Sequence, residues 1–179
     1  MLLYQMIHNY TTYRVLELFF DYPTRKFQLR KMCRLLKLGM PSVKIHIERL
    51  QREGFVQKDE EGIYPAYKAT QNERFKLYKK NDVLLRLHES KLISYIEQEC
   101  TPDAIVLFGS ASRGEDTETS DIDLFVVAHE QTLELQQYEK ILKRNVNLFF
   151  ESRIKDVPSE LMNNIINGVV VQGYLKVLP

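Results

Sequence analysis

Hydrophobic residues recur at helical spacing in three successive segments of the first half of the chain, residues 11–20, 28–37 and 41–54. Gly39 follows the second segment as a helix terminator, and Pro41 opens the third, where the first turn of a helix accepts proline. The positions predicted to face inward are Val15, Leu16, Phe19 and Phe20, then Leu29, Met32, Leu35 and Leu36, then Val43, Ile47 and Leu50. We therefore expect three helices, with a tight turn between the second and the third.

Two short apolar segments follow the third helix. Residues 55–58 and 63–68 flank the polar turn 59–62 and predict a β-hairpin. Pro65 has no N–H, which predicts an edge position for its strand. The order of helix, helix, turn, helix and hairpin resembles the winged helix-turn-helix domains of prokaryotic regulators over residues 10–70. We therefore predict a winged helix-turn-helix domain in residues 1–70.

The distribution of charge suggests a partner for this domain. The net charge is +1, but residues 1–100 contain 18 Lys+Arg and 12 Asp+Glu, and residues 101–179 contain 7 and 12. Residues 25–52 hold nine basic residues and one acid, Glu48. Because such side chains neutralise phosphates and release counterions, we expect salt-dependent binding to DNA. The candidate DNA contacts on the third helix are Ser42, Lys44, His46, Arg49 and Arg52. The alternative is a protein-contact or dimerisation module with a solvated basic face.

Residues 71–100 are predicted to form a helical connector. A basic helix over residues 71–80 precedes a cap at Asn81-Asp82, and a second helix ends at Thr101-Pro102. This connector could also support a homodimer.

Several features point to the cytoplasm. The segment Met1–Gln5 lacks the basic flank and apolar core of a secretory signal, and no apolar run reaches the roughly 20 residues that cross a bilayer. Cys33 and Cys100 are far apart in sequence and fit neither a disulfide framework nor a zinc site. We therefore expect a cytoplasmic protein with reduced thiols and no membrane partner.

The segment AIVLFGSASRGEDTETSDIDLFVV, residues 104–127, contains the candidate chemistry. An apolar strand ends at Gly109-Ser110, and a polar loop leads to a second strand that begins near Asp121 and Asp123. Alternate residues of a strand share a face, so the two carboxylates should project together while Ile122 and Leu124 pack inward. Neighbouring carboxylates repel unless a cation lies between them, and Mg²⁺ or Mn²⁺ prefers oxygen ligands and bridges to phosphate.

The turn after the first strand fits a triphosphate. Gly109 lets the backbone approach the phosphates closely, the Ser110 hydroxyl can donate a hydrogen bond, and Arg113 can add a cationic clamp. The order strand–GSxxRG–loop–SDID–strand resembles the minimal nucleotidyltransferases of the DNA polymerase β superfamily. The matching positions are Gly109, Ser110, Arg113, Gly114, Ser120, Asp121, Asp123 and Leu124. Residues 163–178 also resemble the end of this domain, so the resemblance covers residues 101–179.

The resemblance implies transfer of a nucleoside monophosphate from an NTP, often ATP, to an acceptor hydroxyl. It implies that Asp121 and Asp123 are catalytic and hold two metal ions, and that Gly109 and Ser110 hold the triphosphate. The family has a third carboxylate on a later strand, and the corresponding position here is Asn147. An amide is a neutral, weaker metal ligand and no base.

The predicted architecture is α+β, with a winged helix-turn-helix domain followed by an α/β nucleotidyltransferase domain that has a mixed sheet. Helices are expected over residues 131–143 and 158–166, and a strand or extended tail over residues 168–178. The leading functional hypothesis is a metal-dependent nucleotidyltransferase that acts on a protein or nucleic-acid acceptor. The second is a DNA-binding transcriptional regulator whose weakened transferase-like domain binds or senses nucleotide. The third is an antitoxin-like partner of another small protein, which the fused winged helix disfavours.

Overall fold

A computed structural model describes residues 10–62 and 64–177. The segment Met1–Gln5, Ile63 of the predicted hairpin and Leu178 of the predicted tail lie outside the described residues. The chain divides into two compact units, residues 1–79 and 80–179. The finer division into residues 1–70, 71–100 and 101–179 stays a prediction.

The first unit contains the three predicted helices and a small antiparallel sheet. The helices are α1 Thr11–Asp21, α2 Leu29–Leu36 and α3 Met40–Arg52, and the strands are β1 Phe27–Gln28, β2 Val56–Asp59 and β3 Ala66–Ala69. The strand order is β1-β3-β2. The predicted inward positions of α3, Val43, Ile47 and Leu50, are buried in one core with α1. Burial of this apolar face holds the short helices in place, since isolated helices of this length are marginal in water.

Two predictions for this unit were wrong. Leu35 is 53% exposed, whereas Met32 is fully buried, so the buried face of α2 is narrower than its apolar pattern suggests. The strand after Pro65 is central rather than at an edge, because β3 pairs with both β1 and β2. Pro65 itself precedes β3, so its missing N–H removes no ladder hydrogen bond. Strand β1 ends at Gln28, so α2 begins at Leu29, one residue after its predicted start.

The predicted break at Asn81-Asp82 was also wrong. One helix, α4, runs from Glu73 to Glu89, and α5 runs from Leu92 to Cys100. Asp82 is buried, and its Oδ2 lies 2.7 Å from Nε of Arg86, one turn later. Asp82 therefore pairs with a residue of the same helix and does not cap the start of a new one. The chain breaks instead at Lys91, which adopts a left-handed conformation with φ 69°. The helix end predicted at Thr101-Pro102 is confirmed.

The second unit is built on a mixed sheet, as predicted, and the sheet has four strands. Its strands are β4 Ala104–Phe108, β5 Ile122–Val126, β6 Val146–Phe150 and β7 Val169–Gly173, in the order β6-β5-β4-β7. Strands β5 and β6 are parallel, and the other pairs are antiparallel. The remaining helices are α6 Gln136–Leu142 and α7 Ser159–Ile166, with single 3₁₀ turns at Ala111–Arg113 and Ile154–Asp156.

Strand β4 is apolar throughout because both of its faces are covered. Ile105 and Leu107 pack in a cluster with Ile96 of α5, while Val106 and Phe108 pack on the opposite face in a cluster with Ile165 of α7. A strand covered on both faces has a continuous apolar sequence instead of an alternating one. This central strand fixes the position of the turn that follows it.

Helix α6 is shorter than the predicted helix over residues 131–143. Residues 131–135 are not helical, and the backbone N–H of Glu134 donates to the Tyr95 hydroxyl at 3.3 Å. Ile141, expected to add apolar surface, is 58% exposed. Helix α7 and strand β7 lie within the ranges predicted for them.

Both cysteines are free thiols, and burial raises the pKa of the Cys100 thiol. None of the helices in residues 10–62 and 64–177 is long and apolar enough to span a bilayer.

Candidate functional site

The predicted chemistry lies at one end of the four-stranded sheet. Strand β4 ends at Phe108, which pairs with Asp123 near the start of β5. Because β6 is parallel to β5, Asn147 near the start of β6 lies beside Asp123. The topology therefore brings together residues that are far apart in the sequence.

Gly109 begins the turn that leaves β4, and two features favour glycine there. Its φ is 72°, in the left-handed region that side chains disfavour. A Cβ atom at this position would lie 2.6 Å from Oδ2 of Asp123. The backbone of the turn is thus packed directly against one of the two predicted carboxylates.

The two carboxylates converge on one amide group. The Asn147 amide nitrogen Nδ2 donates to Oδ1 of Asp123 at 3.0 Å and to Oδ2 of Asp121 at 3.3 Å. Asp121 immediately precedes β5, while Ile122 and Leu124 are buried as predicted. An N–H group carries partial positive charge, so the Asn147 amide offsets part of the repulsion between the two carboxylates.

A second amide, which the sequence reasoning missed, holds Asp121. The Asn145 side chain donates through Nδ2 to Oδ1 of Asp121 at 3.1 Å. Strand alternation supplies a signal for this residue, because a position two residues before Asn147 shares its face. Each oxygen of the Asp121 carboxylate therefore accepts a hydrogen bond from a different asparagine.

The predicted triphosphate-binding residues lie on the 3₁₀ turn after β4. Ser110 immediately precedes Ala111–Arg113, and the Ser112 hydroxyl donates to the Gly109 carbonyl oxygen at 2.8 Å. Arg113 is exposed and pairs through Nε with Oε2 of Glu115 at 2.8 Å. This pairing is weak because both groups are solvated, and an incoming phosphate can compete with it.

The loop between the turn and β5 is held by its own hydroxyl groups. The Thr117 backbone N–H donates to Oγ of Ser120 at 2.9 Å, and the two hydroxyl oxygens lie 3.2 Å apart. Gly114 has φ 71°, which reverses the chain after the 3₁₀ turn. Ser120 thus fixes the loop that precedes Asp121.

The side chains of this site provide some of the ligands that a divalent cation needs. Within the described ranges, no group of three or more His, Cys, Asp or Glu side chains is arranged to hold a metal ion. The two carboxylates of Asp121 and Asp123 do converge, since one amide nitrogen contacts both. Carboxylate oxygens are the ligands that Mg²⁺ and Mn²⁺ prefer. A rotation of the Asn147 amide group by about 180° would place its neutral oxygen toward the cation.

A cavity of about 500 Å³ adjoins Asp121. We call it the Asp121 cavity. Its wall is balanced in charge, with the acids Glu118, Asp121 and Glu139 and the cations Lys140, Lys143 and Arg144. The sequence reasoning missed these three cations, although Lys143-Arg144 directly precedes the strand that contains Asn147.

The predicted DNA contacts on α3 differ in exposure. Lys44, Arg49 and Arg52 are exposed, and Ser42 is half-buried. Arg49 pairs through Nε with Oε1 of Glu53 at 2.8 Å, a hydrogen bond that raises the pKa of the guanidinium. His46, expected to face outward, is half-buried, and its Nδ1 lies 2.8 Å from the Thr12 hydroxyl on α1.

The comparison with protein families agrees with the position of this site. The sequence pattern of the family described as Polymerase beta, Nucleotidyltransferase matches residues 90–173. This range contains the turn at Gly109, both carboxylates and Asn147, and it supports a polymerase-β-type nucleotidyltransferase domain in the second unit. No curated protein matches the chain.

Proposed function

We propose that the second unit is a metal-dependent nucleotidyltransferase that moves a nucleoside monophosphate from an NTP, specifically ATP, to an acceptor hydroxyl and releases pyrophosphate and a proton. The observation that supports this most is the convergence of Asp121 and Asp123 beside the Gly109 turn, within the range that matches the family. A site of this class needs carboxylates for a cation and a close backbone approach for phosphates, and these residues supply both.

In this proposal each residue has a separate task. Asp121 and Asp123 hold Mg²⁺ or Mn²⁺, which when bound stabilises the attacking and leaving oxygens of an in-line displacement. Gly109 leaves room for the triphosphate, and the Ser110 hydroxyl donates to a phosphate oxygen. The Arg113 guanidinium, which pairs with Glu115 in the free protein, binds a phosphate instead. The acceptor is a nucleic acid or a protein.

A transfer assay tests the proposal. The full chain is incubated with Mg²⁺ and ATP labelled at the α-phosphate, with candidate nucleic-acid and protein acceptors. We expect label on one acceptor, and no label with the double variant Asp121→Asn/Asp123→Asn. The double variant Asp156→Asn/Glu160→Gln removes two exposed carboxylates elsewhere in the second unit and should keep full transfer. Equal transfer by both double variants would contradict the assignment of the site.

One observation favours a second candidate function, a regulator that binds nucleotide without transferring it. Asn147 stands where the family has its third carboxylate, and its amide already bonds to both remaining carboxylates. An amide cannot accept the proton of an acceptor hydroxyl. ATP binding without transfer in the wild type, and transfer in Asn147→Asp, would support nucleotide binding without turnover, and transfer by the wild type would contradict it.

We also propose that the first unit is a winged helix that binds DNA. Its order of helices, with β2 and β3 forming the hairpin after α3, supports this assignment. Residues 1–79 contain 15 Lys+Arg and 8 Asp+Glu, and all nine basic residues between positions 25 and 52 are exposed. A basic surface around the predicted recognition helix is the electrostatic pattern of a DNA-binding module.

Fluorescence anisotropy with duplex DNA at several salt concentrations tests this role. The double variant Lys44→Gln/Arg52→Gln should bind more weakly and with a smaller dependence on salt, because fewer phosphates are neutralised. Lys155→Gln/Arg153→Gln removes the same charge from the second unit and should bind as the wild type does. If wild-type affinity does not change with salt, the basic surface has a different partner.

A further inference from the structure

We propose that Ile45 contacts the methyl group of a thymine base, so that the first unit prefers DNA with thymine at one position of its site. The inference rests on the proposed DNA binding of this unit. It starts from the outer face of α3, which lies opposite the buried residues of that helix. The residues of the outer face recur at helical spacing and are all exposed: Pro41, Ile45, Glu48 and Arg52.

Ile45 lies in the middle of the outer face, where the core of the unit does not need it. Its side chain is 63% exposed, although Ile47 is fully buried. Met40 and Pro41, one turn earlier, are exposed as well, so the N-terminal half of the outer face is apolar. In a helix-turn-helix the N-terminal residues of the recognition helix are the ones that contact base edges.

The major groove of DNA offers one apolar group to such a surface. Its base edges carry hydrogen-bond donors and acceptors, and thymine adds the C5-methyl group. Ile45 cannot hydrogen-bond to the polar groups, and covering them with its side chain would cost free energy. Contact with the thymine methyl instead removes apolar surface from water on both sides. Thymine is therefore the base that Ile45 favours.

The charges around Ile45 favour DNA over a protein as the partner of the outer face. Lys44 precedes it, Arg52 follows two turns later, and both are exposed. The one acid on this face, Glu48, has its Oε1 3.9 Å from Nζ of Lys44. The centre of a protein interface is depleted of lysine, whereas basic side chains around an apolar centre suit phosphates on either side of a base edge.

A comparison of thymine with uracil tests the inference, because uracil lacks only the methyl group. A preferred duplex is first selected from a random-sequence pool with the full-length wild-type chain. Its thymines are then replaced by uracil one at a time, and fluorescence anisotropy measures each affinity. At one position uracil should weaken wild-type binding about fourfold, the factor that corresponds to about 0.8 kcal/mol for one buried methyl-sized group.

The variant Ile45→Ala should bind the thymine duplex about fourfold more weakly than the wild type, and it should not distinguish thymine from uracil at that position. Because the Ile45 side chain is exposed, thermal unfolding of this variant should match the wild type. Ile141→Ala removes an isoleucine of the second unit that is 58% exposed, and it should distinguish the two bases as the wild type does. Lys44→Gln should weaken both duplexes by the same factor, because a methyl group carries no charge.

The outcomes separate this inference from the DNA-binding proposal. The inference is overturned if the pool yields no preferred sequence, if the wild type binds thymine and uracil equally at every position, or if Ile45→Ala still distinguishes them. Salt-dependent binding to DNA together with any of these results leaves the DNA-binding proposal standing. If the wild type binds no duplex at any salt concentration, both are overturned, and the apolar outer face is assigned to a protein contact.

Discussion

Asn147 and Asp123 occupy paired positions on two parallel strands, and the Asn147 amide nitrogen donates to the Asp123 carboxylate at 3.0 Å. The same nitrogen reaches Asp121 at 3.3 Å. One neutral side chain thus holds together two acids that would otherwise repel each other.

The substitution Asn147→Asp should convert this amide contact into a cluster of three carboxylates. We expect the free variant to be less stable than the wild type, and its Mn²⁺ dissociation constant to fall by about tenfold, because hard cations bind more tightly as ligand charge increases. Thermal unfolding with and without Mn²⁺, together with calorimetric titration, measures both effects. Asn163→Asp makes the same chemical change on the exposed face of α7 and should leave Mn²⁺ binding unchanged. An unchanged Mn²⁺ affinity in Asn147→Asp would show that the carboxylates do not form a cation site.

The substitution Gly109→Ala should damage the turn beside Asp123. Alanine is strained at φ 72°, and its Cβ would lie 2.6 Å from Oδ2 of Asp123. We expect a loss of about 1–3 kcal/mol in the free energy of unfolding and weaker binding of Mg²⁺–ATP. Urea unfolding and nucleotide titration are the measurements. In the control Gly62→Ala the nearest atom to the new Cβ is 3.7 Å away, so little change is expected; equal effects in both variants would contradict the close packing at Gly109.

The sheet of the first unit should lose stability in acid. Oδ2 of Asp59 lies 2.7 Å from Nζ of Lys26 and 3.1 Å from Nζ of Lys68. The hydrogen bond from Lys26 is the largest cause that lowers the pKa of the Asp59 carboxyl, to about 2, and the hydrogen bond from Lys68 adds to it. An unfolded aspartate titrates near pH 3.9, so the stabilisation is complete above about pH 4 and is lost as the pH falls towards 2.

Asp59→Asn should remove this acid dependence and lower stability at neutral pH. Far-UV circular dichroism during urea unfolding, at a series of pH values, measures the effect. Glu61 also pairs with Lys26, at 2.9 Å, but its side chain is 79% exposed. Glu61→Gln should therefore change stability little, since exposed pairs contribute about 0–1 kcal/mol. An Asp59→Asn profile that keeps the wild-type slope between pH 4 and 2 would argue against the pairing.

His46 and Lys44 should behave differently although they lie on the same helix. His46→Ala removes the bond to Thr12 and should cost about 0.5–1.5 kcal/mol of stability. Lys44→Gln should leave stability almost unchanged and reduce the salt slope of DNA binding by about 1, because one phosphate contact is lost. Thermal unfolding and anisotropy at several salt concentrations distinguish the two effects. A reduced salt slope in His46→Ala would restore this histidine to the set of DNA contacts.

Short-range patterns predicted those parts of the molecule in which one physical requirement decides the structure. Val43, Ile47 and Leu50 fall on one buried face of α3, and the apolar segment 104–108 is a strand buried on both sides. The turn at Gly109 and the acids at Asp121 and Asp123 could be identified because their spacing is local. At these positions the burial of apolar side chains at helical or strand spacing is enough to decide the local structure.

The sequence did not predict features that depend on a distant partner. Asp82 is an exception, because its partner Arg86 is only four residues later, and this i, i+4 spacing could have indicated one continuous helix instead of a cap. His46 was expected to be solvated because the sequence does not show that Thr12 lies beside it. The hydrogen bonds of Asn145 and Asn147 depend on the register of two parallel strands, which the distance along the chain does not reveal.

Among the described residues, β6 pairs only with β5, so Asn147, which contacts both acids, lies on an edge strand. Side chains alternate between the two faces of a strand, and a slip of β6 by one residue would therefore present Val146 or Leu148 to the carboxylates. The acids would then face an aliphatic side chain in place of the Asn147 amide. The register of this edge pairing consequently decides whether β6 offers the two carboxylates a hydrogen-bond donor.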